Sequence, residues 1–253
     1  MKVSNENIVA AIQFSPKLGD TWKNVAIAKQ LAFEAAAKGA VVIVLPELCI
    51  TGNGFLNPNE AMVCAQEKNG PYTQEFIEIA QRFNCHIVFG YVEMEQHLLY
   101  NSAAIVGPDG LEANVRKHNL FGTDNIWAQA ATDMHPIILT KAGRLGVLIC
   151  RDVMNKFRES YRFYNSNHRF YPRGSVDTIA LLTNWAHEFS FPDASWVDLA
   201  EDLNANVIVS NRTGSERHLQ FQGGSAIISK KREIWTNGSS FDSDAVVGGI
   251  VKL

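Results

Sequence analysis

The sequence predicts an α/β fold in which two packed mixed sheets are flanked by helices. Three observations lead to this class. Strand and helix patterns alternate through the first half of the chain, hairpin signals lie between them, and about ten or more strands are expected in all. A twisted open sheet rarely contains more than about ten strands, so this number favours two packed sheets. Residues 1–253 contain no linker or low-complexity stretch, so we expect a single domain.

The first part of the chain alternates strands with helices. Ile8–Gln13 is a short apolar strand, and Thr21–Lys38 has the capping residues and apolar positions of an amphipathic helix. Ala40–Leu45 is a continuous apolar run, as in a strand covered on both faces. Pro71–Phe83 predicts a second helix with proline in its first turn.

The rest of the chain is rich in strands and hairpins. The turn signal Gly107–Gly110 lies between the predicted strands Leu98–Val106 and Leu111–Val115, which come after the predicted strand His86–Glu93. The predicted strands are His86–Glu93, Leu98–Val106, Leu111–Val115, Pro136–Leu139, Arg144–Ile149, Thr178–Leu182, Asn206–Ser210, Ser225–Ser229 and Val246–Val251, and Ala194–Asn204 is a predicted helix.

Composition and charge exclude several classes of protein. The net charge is -3, which gives no indication of a nucleic acid or an anionic membrane as partner. No apolar run approaches the roughly 18 residues that span a bilayer, and the first residues lack the pattern of a signal peptide. The four cysteines have no metal-ligand spacing, so we expect no zinc site and a reduced, cytoplasmic protein.

A candidate nucleophile follows a predicted buried strand. Gly146–Ile149 is a short apolar segment that ends at Cys150, and Arg151 and Asp152 come next. Functional groups in α/β folds lie just beyond the carboxyl ends of strands. A thiol in this place is a candidate nucleophile. The alternative is a core cysteine, since free cysteine is among the most buried residue types.

Two other polar residues lie in comparable places. Glu47 follows the strand Ala40–Leu45, and Lys117 follows the hairpin strand that ends near Val115. A carboxylate can take the thiol proton, and an ammonium can stabilise an oxyanion. With Cys150 they suffice for acyl transfer through a thioester, without metal or organic cofactor. The alternatives are a loop acid or helix cap for Glu47 and a solvated basic run for Lys117.

The chain resembles the nitrilase superfamily, the carbon-nitrogen hydrolases. The matching segments occur in the family's order: Leu45-Pro46-Glu47-Leu48 with Thr51-Gly52, Asn101-Ser102-Ala103, Arg116-Lys117-His118-Asn119-Leu120-Phe121, Gly146–Cys150, Asn184-Trp185, Asn211–Glu216 and Gly223-Gly224-Ser225. The resemblance implies that Glu47 is the general base, Lys117 stabilises the intermediate and Cys150 is the nucleophile. It also implies a four-layer α-β-β-α sandwich that forms a homodimer or a higher homo-oligomer.

Four residues are expected to bind substrate or to support the catalytic set: Asp124, Arg151, Asn184 and Trp185. Asp124 is the nearest carboxylate to the place where members of the family commonly carry a second glutamate, and it is either an acid that orients Lys117 or an ordinary turn residue. The Arg151 side chain is expected to point to solvent, so that its backbone N–H serves as an oxyanion donor. We expect Asp152 to anchor local structure, His118 to be structural and Cys49 to pack in the core.

The segment after the nucleophile, Arg151-Asp152-Val153-Met154-Asn155, departs from the family pattern because no Pro-Glu pair follows, and a basic aromatic stretch, residues 156–175, comes next. Either it is a solvated loop, or one of its arginines (Arg158, Arg162, Arg169 or Arg173) binds a substrate carboxylate. The pocket is expected to come from loops 47–60, 118–135, 153–175 and 185–192. This stretch leaves the identity of the substrate open.

Together these features predict a cofactor-free amidase that cleaves a small-molecule linear amide. A nitrile or N-carbamoyl hydrolase would use the same three residues. A transferase that passes the thioester to another acceptor and a catalytically silent interaction module of the same fold are further alternatives. An intact set of Glu47, Lys117 and Cys150 disfavours the silent module, because binding alone does not need these three residue types.

Overall fold

Two six-stranded sheets form the centre of the fold. The computed structural model describes residues 6–153, 170–186, 193–237 and 243–252. The strands are β1 (Glu6–Gln13), β2 (Val42–Val44), β3 (His86–Glu95), β4 (Leu98–Gly107), β5 (Gly110–Arg116), β6 (Ile138–Thr140), β7 (Gly143–Ile149), β8 (Thr178–Thr183), β9 (Asn206–Asn211), β10 (Thr213–Glu216), β11 (Leu219–Gln222), β12 (Ala226–Ile228), β13 (Ile234–Asn237) and β14 (Ala245–Lys252). The helices are α1 (Thr21–Ala37), α2 (Pro58–Cys64), α3 (Pro71–Phe83), α4 (Asp124–Trp127) and α5 (Ala194–Leu203).

Both sheets are mixed, and each has parallel strands at its centre. The first sheet has the order β14-β1-β2-β3-β4-β5, in which β1, β2 and β3 are parallel and the outer pairs are antiparallel. The second has the order β13-β12-β9-β8-β7-β6, in which β7, β8 and β9 are parallel. A separate hairpin joins β10 to β11. The parallel centres place several strand ends, with the residues that follow them, at one edge of each sheet.

The layers follow from which faces are apolar. Helices α1 and α3 cover the outer face of the first sheet in one core cluster, where alanines on α1 allow close approach to the strands. A second cluster joins the inner faces of both sheets and also contains Trp196 and Leu199 of α5, which covers the second sheet. The prediction of two packed mixed sheets flanked by helices is therefore confirmed, as is the four-layer sandwich.

The long elements agree with the sequence prediction, whereas several short ones were missed. Helix α3 spans Pro71–Phe83 with Pro71 in its first turn, as predicted, and Asn84 follows it in the left-handed conformation. The missed elements are α2, α4, β10, β11 and β13. Each has seven residues or fewer, so its periodicity is too short to recognise.

No helix in the described part of the chain is long and apolar enough to cross a membrane.

Candidate active site

Glu47 lies in a tight turn that follows β2. Leu48 has a φ of 48°, and its carbonyl accepts hydrogen bonds from the N–H groups of Thr51 and Gly52 at 3.2 and 2.9 Å. The turn rests on Gly90 of β3, where a Cβ atom would lie 2.4 Å from the backbone N of Leu48. Only a residue without a side chain at this position allows the Glu47 turn to lie so close to the strand.

Lys117 is the first residue after β5, and it joins two carboxylates. Its Nζ lies 2.6 Å from Oε1 of Glu47 and 2.6 Å from Oδ2 of Asp124, and all three side chains are buried. Burial disfavours the ammonium, but the charges of Asp124 and Glu47 outweigh that effect and hold the pKa of Lys117 well above its ordinary value. Lys117 is therefore a fixed cation between two acceptors.

Asn101 of β4 belongs to the same group of side chains. Its Nδ2 donates hydrogen bonds to Oε1 of Glu47 at 2.8 Å and to Oδ2 of Asp124 at 3.3 Å. Its backbone carbonyl accepts the N–H of Lys117 at 2.8 Å. In the sequence, Asn101 is recognisable only as part of the motif Asn101-Ser102-Ala103. The signal that could have identified its role is an amide side chain inside a strand that is otherwise largely apolar.

Cys150 follows β7 at the start of the 3-10 turn Cys150–Val153 and has a φ of 48°. Backbone in this region is uncommon for a residue with a side chain and recurs at functional sites. Burial raises the pKa of the thiol to about 12, and the charge of Glu47 adds to the rise. The charge of Lys117 and the nearby backbone of Asn184 oppose it. The thiol is consequently protonated at neutral pH and needs a base.

Asp152 connects the segment of Lys117 to the segment of Cys150. Its Oδ1 accepts the backbone N–H groups of His118 at 3.0 Å and Asn119 at 2.8 Å. Burial raises its pKa to about 6, although these N–H groups and Lys117 oppose the rise. Asp152 anchors local structure, as predicted.

A cavity of about 170 Å³ opens onto these residues. It is lined by Glu47, Asn53, Lys117, Phe121, Gly122, Thr123, Asp124, Cys150, Arg151, Asn184, Trp185, Ala186, His218, Leu219 and Phe221. The structure thus brings the three predicted catalytic residues together around one space, with the four predicted supporting residues in its wall. The lining also includes the β10–β11 hairpin, which the sequence did not indicate as part of the pocket.

The expectation about the Arg151 side chain is wrong, and Arg173 lies away from the pocket. The side chain of Arg151 does not point to solvent: it is partly buried in the cavity wall, with its guanidinium 3.9 Å from the ring centroid of Phe121. Arg173 does not bind in the pocket, because its guanidinium donates to the carbonyl of Glu201 and to that of Asp202, at 2.8 Å from the latter. The three other arginines of the basic aromatic stretch lie outside the described residues.

Trp185, His118 and Cys49 each contact other residues of the fold. The backbone N–H of Trp185 donates to Oδ1 of Asn211 at 2.8 Å, and its ring lies against Trp196 at a centroid distance of 5.2 Å. His118 contacts the carbonyl of Asp133 at 2.8 Å, which agrees with a structural role. Cys49 is fully buried in the core, as expected.

Within the described ranges, no three histidine, cysteine, aspartate or glutamate side chains are arranged to hold a metal ion.

Comparison with known proteins identifies the family. The carbon-nitrogen hydrolase profile matches residues 8–248, and the chain therefore belongs to this family, which confirms the resemblance to the nitrilase superfamily. It is 30% identical over 243 residues to a nitrilase of Pyrococcus abyssi, covering 96% of this chain and 88% of that protein. It is 28% identical to a protein N-terminal amidase of Schizosaccharomyces pombe, covering 86% of this chain and 89% of that one.

Solved structures show the same fold. An amidase from Nesterenkonia sp. AN1 in complex with acrylamide superposes with a TM-score of 0.81 at 15% identity, covering 99% of this chain and 92% of that one. Another structure of this amidase carries the acetamide moiety of fluoroacetamide added covalently at its active site cysteine, with a TM-score of 0.81 at 16% identity, and it covers 100% of this chain and 92% of that one. At these identities the likeness concerns the fold.

Proposed function

We propose that this carbon-nitrogen hydrolase is an amidase that cleaves linear carboxamides through a thioester at Cys150. The observation that carries the proposal is the arrangement of Lys117, whose Nζ lies 2.6 Å from Oε1 of Glu47 in the cavity that Cys150 also lines. An acid, a cation and a thiol around one small space are the groups that acyl transfer requires.

In the first half of the reaction, Glu47 takes the proton of the Cys150 thiol as the sulfur bonds to the carbonyl carbon. The electron pair of the carbonyl moves to oxygen, where the ammonium of Lys117 and the backbone N–H of Arg151 stabilise the charge. Two of the three Lys117 donors point to carboxylates, which leaves one for the oxyanion. The carbon–nitrogen bond then breaks, and the Glu47 proton goes to the departing ammonia or amine.

In the second half, water attacks the thioester. Glu47 takes a proton from the water, and the carbon–sulfur bond breaks when the new tetrahedral centre collapses. The proton returns to the sulfur of Cys150, and the carboxylic acid leaves. Because the thiol pKa is about 12, the resting state is a neutral thiol beside a base, and proton transfer accompanies attack.

The test is mass spectrometry of the intact protein incubated with a panel of small amides. We expect a mass increase equal to the acyl group on Cys150, together with release of ammonia. Cys150→Ala should show neither, and Cys49→Ala, which removes a buried core thiol, should behave like the unchanged protein. If no amide gives a covalent adduct or ammonia, the proposal is wrong.

A second candidate is a nitrile hydrolase, which is favoured by the 30% identity to the Pyrococcus abyssi nitrilase. A nitrile would add to the same thiol and then take up two waters to release acid and ammonia. Kinetics with the amide and the nitrile of one acyl group separate the two. We expect the higher kcat/KM for the amide, and a higher value for the nitrile would reverse the assignment.

Hydroxylamine distinguishes hydrolysis from acyl transfer. A thioester that partitions mainly to water supports a hydrolase, whereas one that persists in water and yields only hydroxamate supports a transferase. A silent interaction module would form no thioester at all. We further propose that the chain is a homodimer or a higher homo-oligomer, which sedimentation equilibrium of the purified protein would test.

A further inference from the structure

The carboxamide side chain of Asn184 makes no hydrogen bond with the described part of the chain. Its Oδ1 and Nδ2 are both buried, and neither has a hydrogen-bond partner in the described structure. Asn211, by comparison, uses Oδ1 for the N–H of Trp185 at 2.8 Å and Nδ2 for the carbonyl of Gly223 at 2.7 Å. Buried polar groups without partners are costly, and native proteins keep few of them without a reason.

The position of Asn184 is next to the proposed nucleophile. It follows β8 and lines the same cavity as Cys150. Its backbone is close enough to the Cys150 thiol to oppose the rise of the thiol pKa. Because it lines the cavity beside Cys150, Asn184 can contact the part of a bound substrate that does not react.

The chemistry of a carboxamide defines what it pairs with. It presents one acceptor and two donors in a plane, so that a carbonyl and an N–H lie side by side. A neutral primary carboxamide or ureide offers the complementary pair and can satisfy both atoms of Asn184. A carboxylate only accepts and would leave Oδ1 unpaired. An ammonium only donates and would leave Nδ2 unpaired.

We propose that Asn184 determines specificity by pairing with a second neutral carboxamide or ureide group on the acyl portion of the substrate. The preferred substrates are then small amides with such a group, and the cavity of about 170 Å³ limits their size. This inference rests on the proposed amidase function and names its substrate class.

Three amides of nearly equal shape test it. Succinamide carries a second carboxamide, succinamate a carboxylate in its place, and 4-oxopentanamide a methyl ketone. We expect kcat/KM for succinamide to exceed that for each of the others by roughly 10- to 100-fold, because each leaves one polar atom of Asn184 unpaired. Leucine is similar to asparagine in size but forms no hydrogen bonds. In Asn184→Leu the preference for succinamide should therefore fall below about threefold.

Asn53→Leu is the matched control. Asn53 lines the same cavity, but its Oδ1 already accepts the N–H of Gly54 at 2.7 Å. The preference for succinamide should therefore persist in this variant. The measured quantity is the ratio of kcat/KM for succinamide to kcat/KM for each of the other amides. The rate at which iodoacetamide alkylates Cys150 shows separately whether the site is intact.

The outcomes separate the two proposals. If all three amides acylate Cys150 at similar rates, or if Asn184→Leu keeps the preference, the specificity role of Asn184 is wrong and the amidase proposal stands. If succinamate is the best substrate, the pocket selects an anion and the inference is also wrong. If none of these or other small amides acylates Cys150, both proposals fail.

Discussion

A methyl group added at Gly90 should lower the catalytic rate and leave the protein folded. In Gly90→Ala the added Cβ would lie 2.4 Å from the backbone N of Leu48, 2.8 Å from Cα of Glu47 and 2.8 Å from the carbonyl oxygen of Pro46. Ordinary van der Waals contact for a Cβ begins at 3.4 Å. The contacting atoms are all backbone, so no side chain can rotate away.

The magnitude follows from the overlap. Restoring ordinary contact with Leu48 requires a displacement of about 1 Å, and the turn that carries Glu47 has to move. Misplacement of a catalytic group by about 1 Å costs roughly 100-fold in rate. Overpacking in a core costs about 1–3 kcal/mol of stability, which a folded domain can survive. We therefore expect a folded protein whose kcat/KM for an amide is about 100-fold lower.

Amide hydrolysis measured by ammonia release is the assay, with thermal unfolding as a check on the fold. Gly248→Ala is the matched control. Gly248 also lies in a strand, β14, and a Cβ there would meet nothing within 4 Å. Its activity should be within about twofold of the unchanged protein. Activity of Gly90→Ala within threefold of the unchanged protein would refute the reasoning, because Glu47 would then tolerate displacement or lie elsewhere in solution.

Three further predictions concern the polar groups around the thiol. Asn101→Leu removes a hydrogen-bond donor from both Glu47 and Asp124, so we expect kcat for an amide to fall by about tenfold or more. Circular dichroism should show unchanged secondary structure, and an unchanged kcat would contradict the prediction. Asp124→Asn leaves Lys117 with one carboxylate partner, so kcat/KM for an amide should fall by about tenfold. If the variant and the unchanged protein have equal rates, Asp124 is an ordinary turn residue. Burial raises the folded-state pKa of Asp152 to about 6, above its unfolded value, so its contribution to stability is present below about pH 4 and is lost as the pH rises through 6. Unfolding by denaturant at pH 4 and pH 7 should show the unchanged protein losing about 2 kcal/mol relative to Asp152→Asn, and parallel behaviour of the two proteins would refute the shift.

Much of the fold was predictable because the longer elements have local signals. Helix α1 and strand β7 show periodicity or continuous apolar character over enough residues to be recognised, and their observed bounds differ from the predicted ones by one residue. Helix α2 also had local signals, since Asn57 caps it and Pro58 opens it. These signals alone do not predict a helix, because the apolar pattern that follows them is too short. The four-residue strands β10 and β11 had no such signal, because glycine, charged and amide residues interrupt them.

The site shows the same division. Glu47, Lys117 and Cys150 were identified because each follows a strand, and a strand end is visible in the local pattern. Asn101 and Gly90 could not be assigned their roles in that way. Asn101 acts through a contact with Glu47, which lies 54 residues earlier in the chain, and Gly90 acts through the space that a distant turn requires.

The sequence by itself determined the alternation of strands and helices and the chemical types that end the strands, because backbone propensity and apolar pattern act over a few neighbouring residues. Only the tertiary structure decided that the ammonium of Lys117 meets Glu47 across 70 residues of chain, that the β10–β11 hairpin lines the cavity, and that the Asn184 side chain has no hydrogen-bond partner among the described residues. These features depend on sheet order and on how the two sheets pack, and both are set by contacts summed over the whole core.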